Sequence, residues 1–143
     1  MSFARNGALL TPDKKEELRK IDQELSTLGP QFSENVLKAT NAFEMALNKS
    51  DLDGLPESAI EAAKELAESK GLHGKYIFNL QIPSYMPIMT YSSRRDLREK
   101  VFRAYNSRSF EGPLSNQELI KKNLKLKSER ARQIGRASCR ERV

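Results

Sequence analysis

Leu18, Ile21, Leu25, Leu28, Phe32, Val36, Ala39 and Phe43 recur at intervals of three and four. This stacks them along one stripe of a long α-helix. Thr11 is placed to cap that helix, and Pro12 stands at the first helical position, where a missing N–H leaves nothing unsatisfied. Gly29-Pro30 interrupts the pattern, because an interior proline removes one ladder hydrogen bond and disfavours helix just before it. The stripe resumes in register beyond it, which predicts one kinked helix rather than two.

After Phe43 the periodicity fades into the polar turn chemistry of N-K-S-D-L-D-G, and Pro56 opens a second helix that ends at Lys70 and Gly71. Ile60, Ala63, Leu66 and Ala67 form its narrow apolar side. Between Tyr76 and Ile82 the period changes to two: Tyr76, Phe78, Leu80 and Ile82 alternate with Ile77, Asn79 and Gln81, the pattern of a half-buried strand. Pro83 and Pro87 bracket Ser84-Tyr85-Met86, and Ser84 is expected to cap a short helix whose first turn takes the second proline. A longer helix from about Ser93 to Ser109 places Leu97, Val101, Ala104 and Tyr105 on one face, and Glu111-Gly112-Pro113 ends it. A capping box, Ser115 to Glu118, starts the last helix, along which Leu119, Ile120, Leu124 and Leu126 spread over a broad face.

With 38% hydrophobic and 31% charged residues, the chain makes amphipathic helices whose apolar faces outnumber the partners available within 143 residues. No apolar run approaches the roughly 20 residues that span a bilayer, and no signal-peptide pattern opens the chain. His73 lies in Gly71-Leu72-His73-Gly74, between a helix end and a strand, with no second ligand in sight, so it reads as a solvated turn histidine. Ser84, Ser92 and Ser93 lack a nucleophile elbow and read as caps or turn residues. The seven glycines form no phosphate loop or dinucleotide fingerprint. Tyr76, Tyr85, Tyr91 and Tyr105 read first as core aromatics.

Three stretches are less generic: Gln31 to Phe43 (Q-F-S-E-N-V-L-K-A-T-N-A-F), Gly54 to Ala59 (G-L-P-E-S-A), and Ile82 to Tyr105 (I-P-S-Y-M-P-I-M-T-Y-S-S-R-R-D-L-R-E-K-V-F-R-A-Y). In order and spacing, from about Phe3 to Gln133, the chain resembles the helical N-terminal region of the zinc oligopeptidases of the thimet oligopeptidase family, nearest its oligopeptidase A and peptidyl-dipeptidase branches. The resemblance implies a mainly α fold in which the stretch around Phe43 to Leu47 pairs with Tyr76 to Ile82 as a small antiparallel β-hairpin. It implies a cytoplasmic zinc peptidase acting on short peptides, whose metal is held by an H-E-x-x-H helix and a distant glutamate. With one histidine this chain cannot build that site, so the expectation is a non-catalytic fragment that binds no zinc and whose partner is a missing C-terminal catalytic domain. No catalytic or metal residue carries over. Tyr85, in its proline-bounded segment, is the one candidate for the peptide channel such enzymes enclose. I-P-S-Y-M-P leans towards oligopeptidase A and the short Ser109 to Ser115 connection towards the dipeptidase, so endopeptidase and dipeptide-releasing action both stay open.

The last ten residues, Ile134 to Val143 (I-G-R-A-S-C-R-E-R-V), match the translation of a common sequencing-library adapter, so residues 1–133 are expected to be a partial helical domain and 134–143 an artefact. Phe3 to Leu10 resembles an internal family segment. The tail holds the only cysteine, Cys139, and with three arginines against one glutamate it carries +2 of the net charge of +6. The natural part therefore offers no disulfide. Two rival readings remain. Lys121, Lys122, Lys125, Lys127, Arg130 and Arg132 make a basic helix that could meet nucleic acid, although no aromatic stacking groups accompany them. The heptad-like first stripe would suit a standalone helical interaction module, which has no use for I-P-S-Y-M-P.

Overall fold

The computed structural model describes residues 6–135, which form five α-helices and a two-stranded antiparallel sheet. The fold is thus mainly α with a small hairpin. In order come α1 (Pro12–Ala42), β1 (Glu44–Leu47), a short 3-10 turn (Lys49–Asp51), α2 (Glu57–Ser69), β2 (Tyr76–Asn79), α3 (Ile82–Tyr91), α4 (Arg95–Asn106) and α5 (Gln117–Gln133). Most of the tail expected to be adapter-derived, residues 136–143, lies outside the described residues. The chain forms two compact units: a middle unit, Val36–Leu114, and a terminal unit built from the residues up to Asn35 and from Ser115 on.

The middle unit holds the larger core. β1 and β2 pair with Met45 opposite Phe78 and Leu47 opposite Tyr76. In β1 only Met45 and Leu47 are buried, as one-sided packing requires. Phe78 joins Met45, Leu47, Leu52, Leu80, Ile88 and Val101 in one apolar cluster. The strict alternation expected of Tyr76 to Ile82 does not hold. Ile77 and Phe78 are both buried, because β2 is covered on two sides: Phe78 enters the cluster, while Ile77 lies beside Ala59, Ala63 and Leu66 of α2. The strand also stops at Asn79, and Ile82, expected inside it, is exposed and opens α3.

α2 begins after Pro56 as the sequence predicts and buries Ala63 and Ala67. Its end is a Schellman motif: the Leu72 N–H donates to the Ala67 carbonyl and the Gly71 N–H to the Glu68 carbonyl, both at 2.9 Å, with Gly71 at φ 74°. α3 starts three residues earlier than expected, with Gln81 rather than Ser84 at the cap position. The Gln81 carbonyl accepts from the N–H groups of Ser84 and Tyr85 at 2.9 and 2.8 Å, and Ser84 is no cap, since its Oγ accepts from the Asn79 N–H at 3.0 Å. Pro83 therefore falls in the first turn and Pro87 in the interior, leaving the Pro83 carbonyl without its usual donor at an exposed position. α4 is shorter than the predicted Ser93 to Ser109, but Leu97 and Val101 are buried and Ala104 and Tyr105 half-buried, as its spacing requires.

In the terminal unit the first part of α1 packs on α5. Ile21, Leu28 and Leu126 form the buried seam, with Leu25 and Leu119 against it. Helix α1 runs through Pro30 as a single element; it ends at Ala42, so Phe43, counted in its stripe, lies just beyond it. The predicted Ser115–Glu118 box does not form. Asn116 is the N-cap, buried, with its amide donating to the Phe32 carbonyl at 3.1 Å and its Oδ1 accepting from Asn35 at 2.9 Å, while Glu118 pairs with Lys121. The broad face of α5 is only partly used: Leu126 is buried, Leu119 half-buried, and Ile120 and Leu124 stay exposed.

Candidate functional site

Two of the three less generic stretches, those beginning at Gly54 and Ile82, meet at the turn between α3 and α4. Arg94 donates two hydrogen bonds to Asp96, at 2.9 and 2.7 Å, and a third to Asp51 at 2.9 Å. Asp51 in turn accepts from the Asn48 N–H at 3.0 Å. The hydrogen bonds from Arg94 are the main force pulling the Asp96 carboxyl down to about 2; partial desolvation opposes them, and the guanidinium charge and the Asp96 and Leu97 N–H groups add to them. The same pairing raises Arg94. Asp96 also stands in the first turn of α4, where the helix dipole favours an anion.

Ser93 ties this turn to the 51–54 loop a second time. Its N–H donates to the Asp53 carbonyl at 3.1 Å and its Oγ to the Asp53 carboxylate at 2.6 Å. Gly54 has φ 83°, and a Cβ there would overlap the Tyr91 carbonyl oxygen and sit 3.2 Å from the Ser93 nitrogen. Ser92 Oγ accepts from the Arg94 N–H at 3.3 Å, and its carbonyl accepts from Arg98. The Y-S-S-R-R-D and D-G motifs thus make one structural joint, with every serine occupied as a turn residue.

Tyr85, the channel candidate, is half-buried on α3. Its ring stacks on that of Tyr105 with centroids 4.2 Å apart and planes 26° apart. Arg108 lies over the Tyr105 ring at 3.6 Å from its centroid. The guanidinium is held there because Nε donates to the Tyr105 carbonyl and Nη1 to Thr40 Oγ1, both at 2.8 Å, while Thr40 donates to the Val36 carbonyl at 2.7 Å. Beside Arg108 opens a cleft of about 380 Å³, walled by Phe43, Leu80, Leu114, Ser109 and Glu111. Ser109 has φ 56° and is buried, and its Oγ has no hydrogen-bond partner. Nothing in the sequence pattern marks Arg108, Ser109 or Glu111. The only available signal was the turn chemistry of the S-F-E-G-P run.

Elsewhere the chemistry is sparse. His73 is exposed in the turn before β2. Among the described residues, no three His, Cys, Asp or Glu side chains gather to hold a metal ion, and the residues present do not fit a zinc centre. The basic helix is largely answered by carboxylates: Lys121 by Glu118, Lys122 by Glu24 and Arg130 by Asp22, at 2.7, 2.8 and 2.6 Å, and Lys125 by Glu129 at 4.0 Å. This removes the free positive stripe that phosphate binding needs. No described helix is long and apolar enough to cross a membrane.

No family model matches the chain. Individual relatives do. It is 44% identical over 139 residues to oligopeptidase A of Haemophilus influenzae, covering 93% of this chain and 20% of the relative. It is 43% identical over 137 residues to a probable cytosolic oligopeptidase A of Arabidopsis thaliana, covering 91% and 20%. Over its matched residues the chain is homologous to part of the oligopeptidase A proteins. Identity to the dipeptidyl carboxypeptidase of Escherichia coli is lower, 27% over 135 residues. The chain spans about a fifth of the length of the oligopeptidase A relatives, and the joint between the 51–54 loop and the α3–α4 turn falls within the matched stretch.

Proposed function

We propose that this chain is the non-catalytic helical part of a zinc-dependent, cytoplasmic oligopeptidase that hydrolyses short peptides. The observation that carries the reading is the match to oligopeptidase A along nine-tenths of this chain but only a fifth of the relatives. The zinc and the water-activating glutamate belong to sequence outside these 143 residues, because the single histidine here cannot supply an H-E-x-x-H pair. In the complete enzyme, residues 1–133 act as wall rather than as reagent, limiting entry to short unfolded peptides, and residues 134–143 take no part. Tyr85 is the side chain assigned to the channel wall, with its ring held by stacking on Tyr105. Whether the enzyme cuts internally or releases dipeptides depends on residues beyond this stretch.

Two measurements test this. The purified chain should leave quenched fluorogenic peptides intact with and without added zinc; chelator-sensitive cleavage would refute the non-catalytic assignment. Long-read sequencing of the source locus should carry the frame past Gln133 to an H-E-x-x-H block. A genomic frame that ends in I-G-R-A-S-C-R-E-R-V would instead leave a standalone helical protein.

A further inference from the structure

The cleft beside Arg108 has no role in the joint described above or in the peptidase reading, and it carries two charges that no described residue neutralises. Arg108 spends two of its five N–H donors on Tyr105 and Thr40. No carboxylate among the described residues pairs with it. Among the described residues Glu111, on the same cleft, has no hydrogen-bond or ion-pair partner, and the two charges do not pair with each other. The cleft's volume of about 380 Å³ lies within the range of small-molecule sites, and its remaining wall is mostly apolar. Ser109 adds a buried hydroxyl without a partner, on a backbone in the left-handed region that a serine seldom adopts.

We propose that this cleft binds a free α-amino acid with an apolar side chain, its carboxylate on Arg108, its ammonium on Glu111 and its side chain against Phe43, Leu80 and Leu114. A simple carboxylate would meet the charge of Glu111, and a simple amine that of Arg108; a zwitterion satisfies both. Arg108 is already fixed by two hydrogen bonds and an aromatic face, so little freedom is lost when the planar fork takes a carboxylate. The inference stands on the middle unit alone and is independent of the peptidase reading.

The test is a titration of the full ¹⁵N-labelled chain with leucine, followed by the amide shifts of residues 107–114 and of Phe43. Leucinamide, 4-methylpentanoate and glycine each remove one of the three features and serve as comparison ligands. Saturable shifts confined to the cleft are expected with leucine, and binding at least about tenfold weaker with each of the others. Glu111→Gln changes one exposed side chain that pairs with no described residue, so it should keep the wild-type Tm while losing leucine affinity by about tenfold. Arg108→Gln should lose more, and circular dichroism will report whether it folds; Glu111→Gln decides the matter if it does not. The absence of saturable shifts with leucine at high millimolar concentration, 4-methylpentanoate binding as well as leucine, or unchanged affinity in Glu111→Gln would each overturn the proposal.

Discussion

The middle and terminal units are held together in different ways. The middle unit hides ten apolar side chains in one cluster, among them Phe78, Leu80, Ile88 and Val101 at 1% exposure. The seam of the terminal unit hides three, Ile21, Leu28 and Leu126, and is flanked by charge: Asp22 with Arg130, Glu24 with Lys122, and the amide of Gln133 donating to Glu17. Exposed ion pairs contribute little each, and buried apolar area contributes much more. The helix pair therefore stands on a thin margin, while the hairpin with its helices resembles the interior of a larger domain. In the terminal unit the exposed Phe32, Ile120 and Leu124 line a groove beside the seam, so apolar surface there is left in water.

Phe78→Ala should produce the largest effect, about 3–5 kcal/mol, seen as loss of dispersed amide signals from the middle unit. Leu126→Ala, in the thinner seam and next to an open groove, should cost nearer 2 kcal/mol and register in a chemical denaturation curve. A result in the reverse order would end the contrast between the two units. Gly54→Ala should cost about 2 kcal/mol or more, from the left-handed backbone and the overlap with the Tyr91 carbonyl, and would be measured as a lower Tm.

Asp22→Asn should cost only about 0.5 kcal/mol, and high salt should reproduce most of that loss in the wild-type chain by screening. If the variant proved as costly as Leu126→Ala, charge rather than the apolar seam would be the main support of the helix pair. The smallest effect concerns pH. The Asp96 carboxyl titrates at about 2 in the folded chain, below the roughly 3.9 of an unfolded aspartate. Its contribution is therefore complete above the unfolded value and disappears as pH falls from about 4 towards 2. A carboxyl ¹³C titration should show this low value, and Arg94→Gln should return it towards the ordinary range.

Regions whose chemistry is local were readable in advance. The spacing of Leu97, Val101 and Tyr105, the Pro56 start and the Gly71 end of α2 follow from periodicity and cap chemistry that need no tertiary partner. Failures came where a group outside the expected motif competed. Ser84 gave its hydroxyl to the Asn79 N–H instead of to a cap. Asn116 was drawn to Phe32 and Asn35, which moved the start of α5 and broke the predicted box. Ile77 looked like the solvent side of a strand until α2 covered it. The candidate cleft was not legible at all, because Arg108, Ser109 and Glu111 meet Phe43 and Leu80 only through folding. Tyr85 could be placed in an unusual segment by sequence, but its stacking on Tyr105 follows from how α3 and α4 pack.

Ser93 lies on the surface of a turn, where an amide usually trades its proton with solvent almost as fast as in a loose peptide. Here that proton is donated to a carbonyl forty residues earlier, and Gly54 closes against the turn beside it. Exchange at Ser93 must wait until the 51–54 loop and the α3–α4 turn part, so this exposed position should keep time with the opening of the core rather than with the motions of the surface around it.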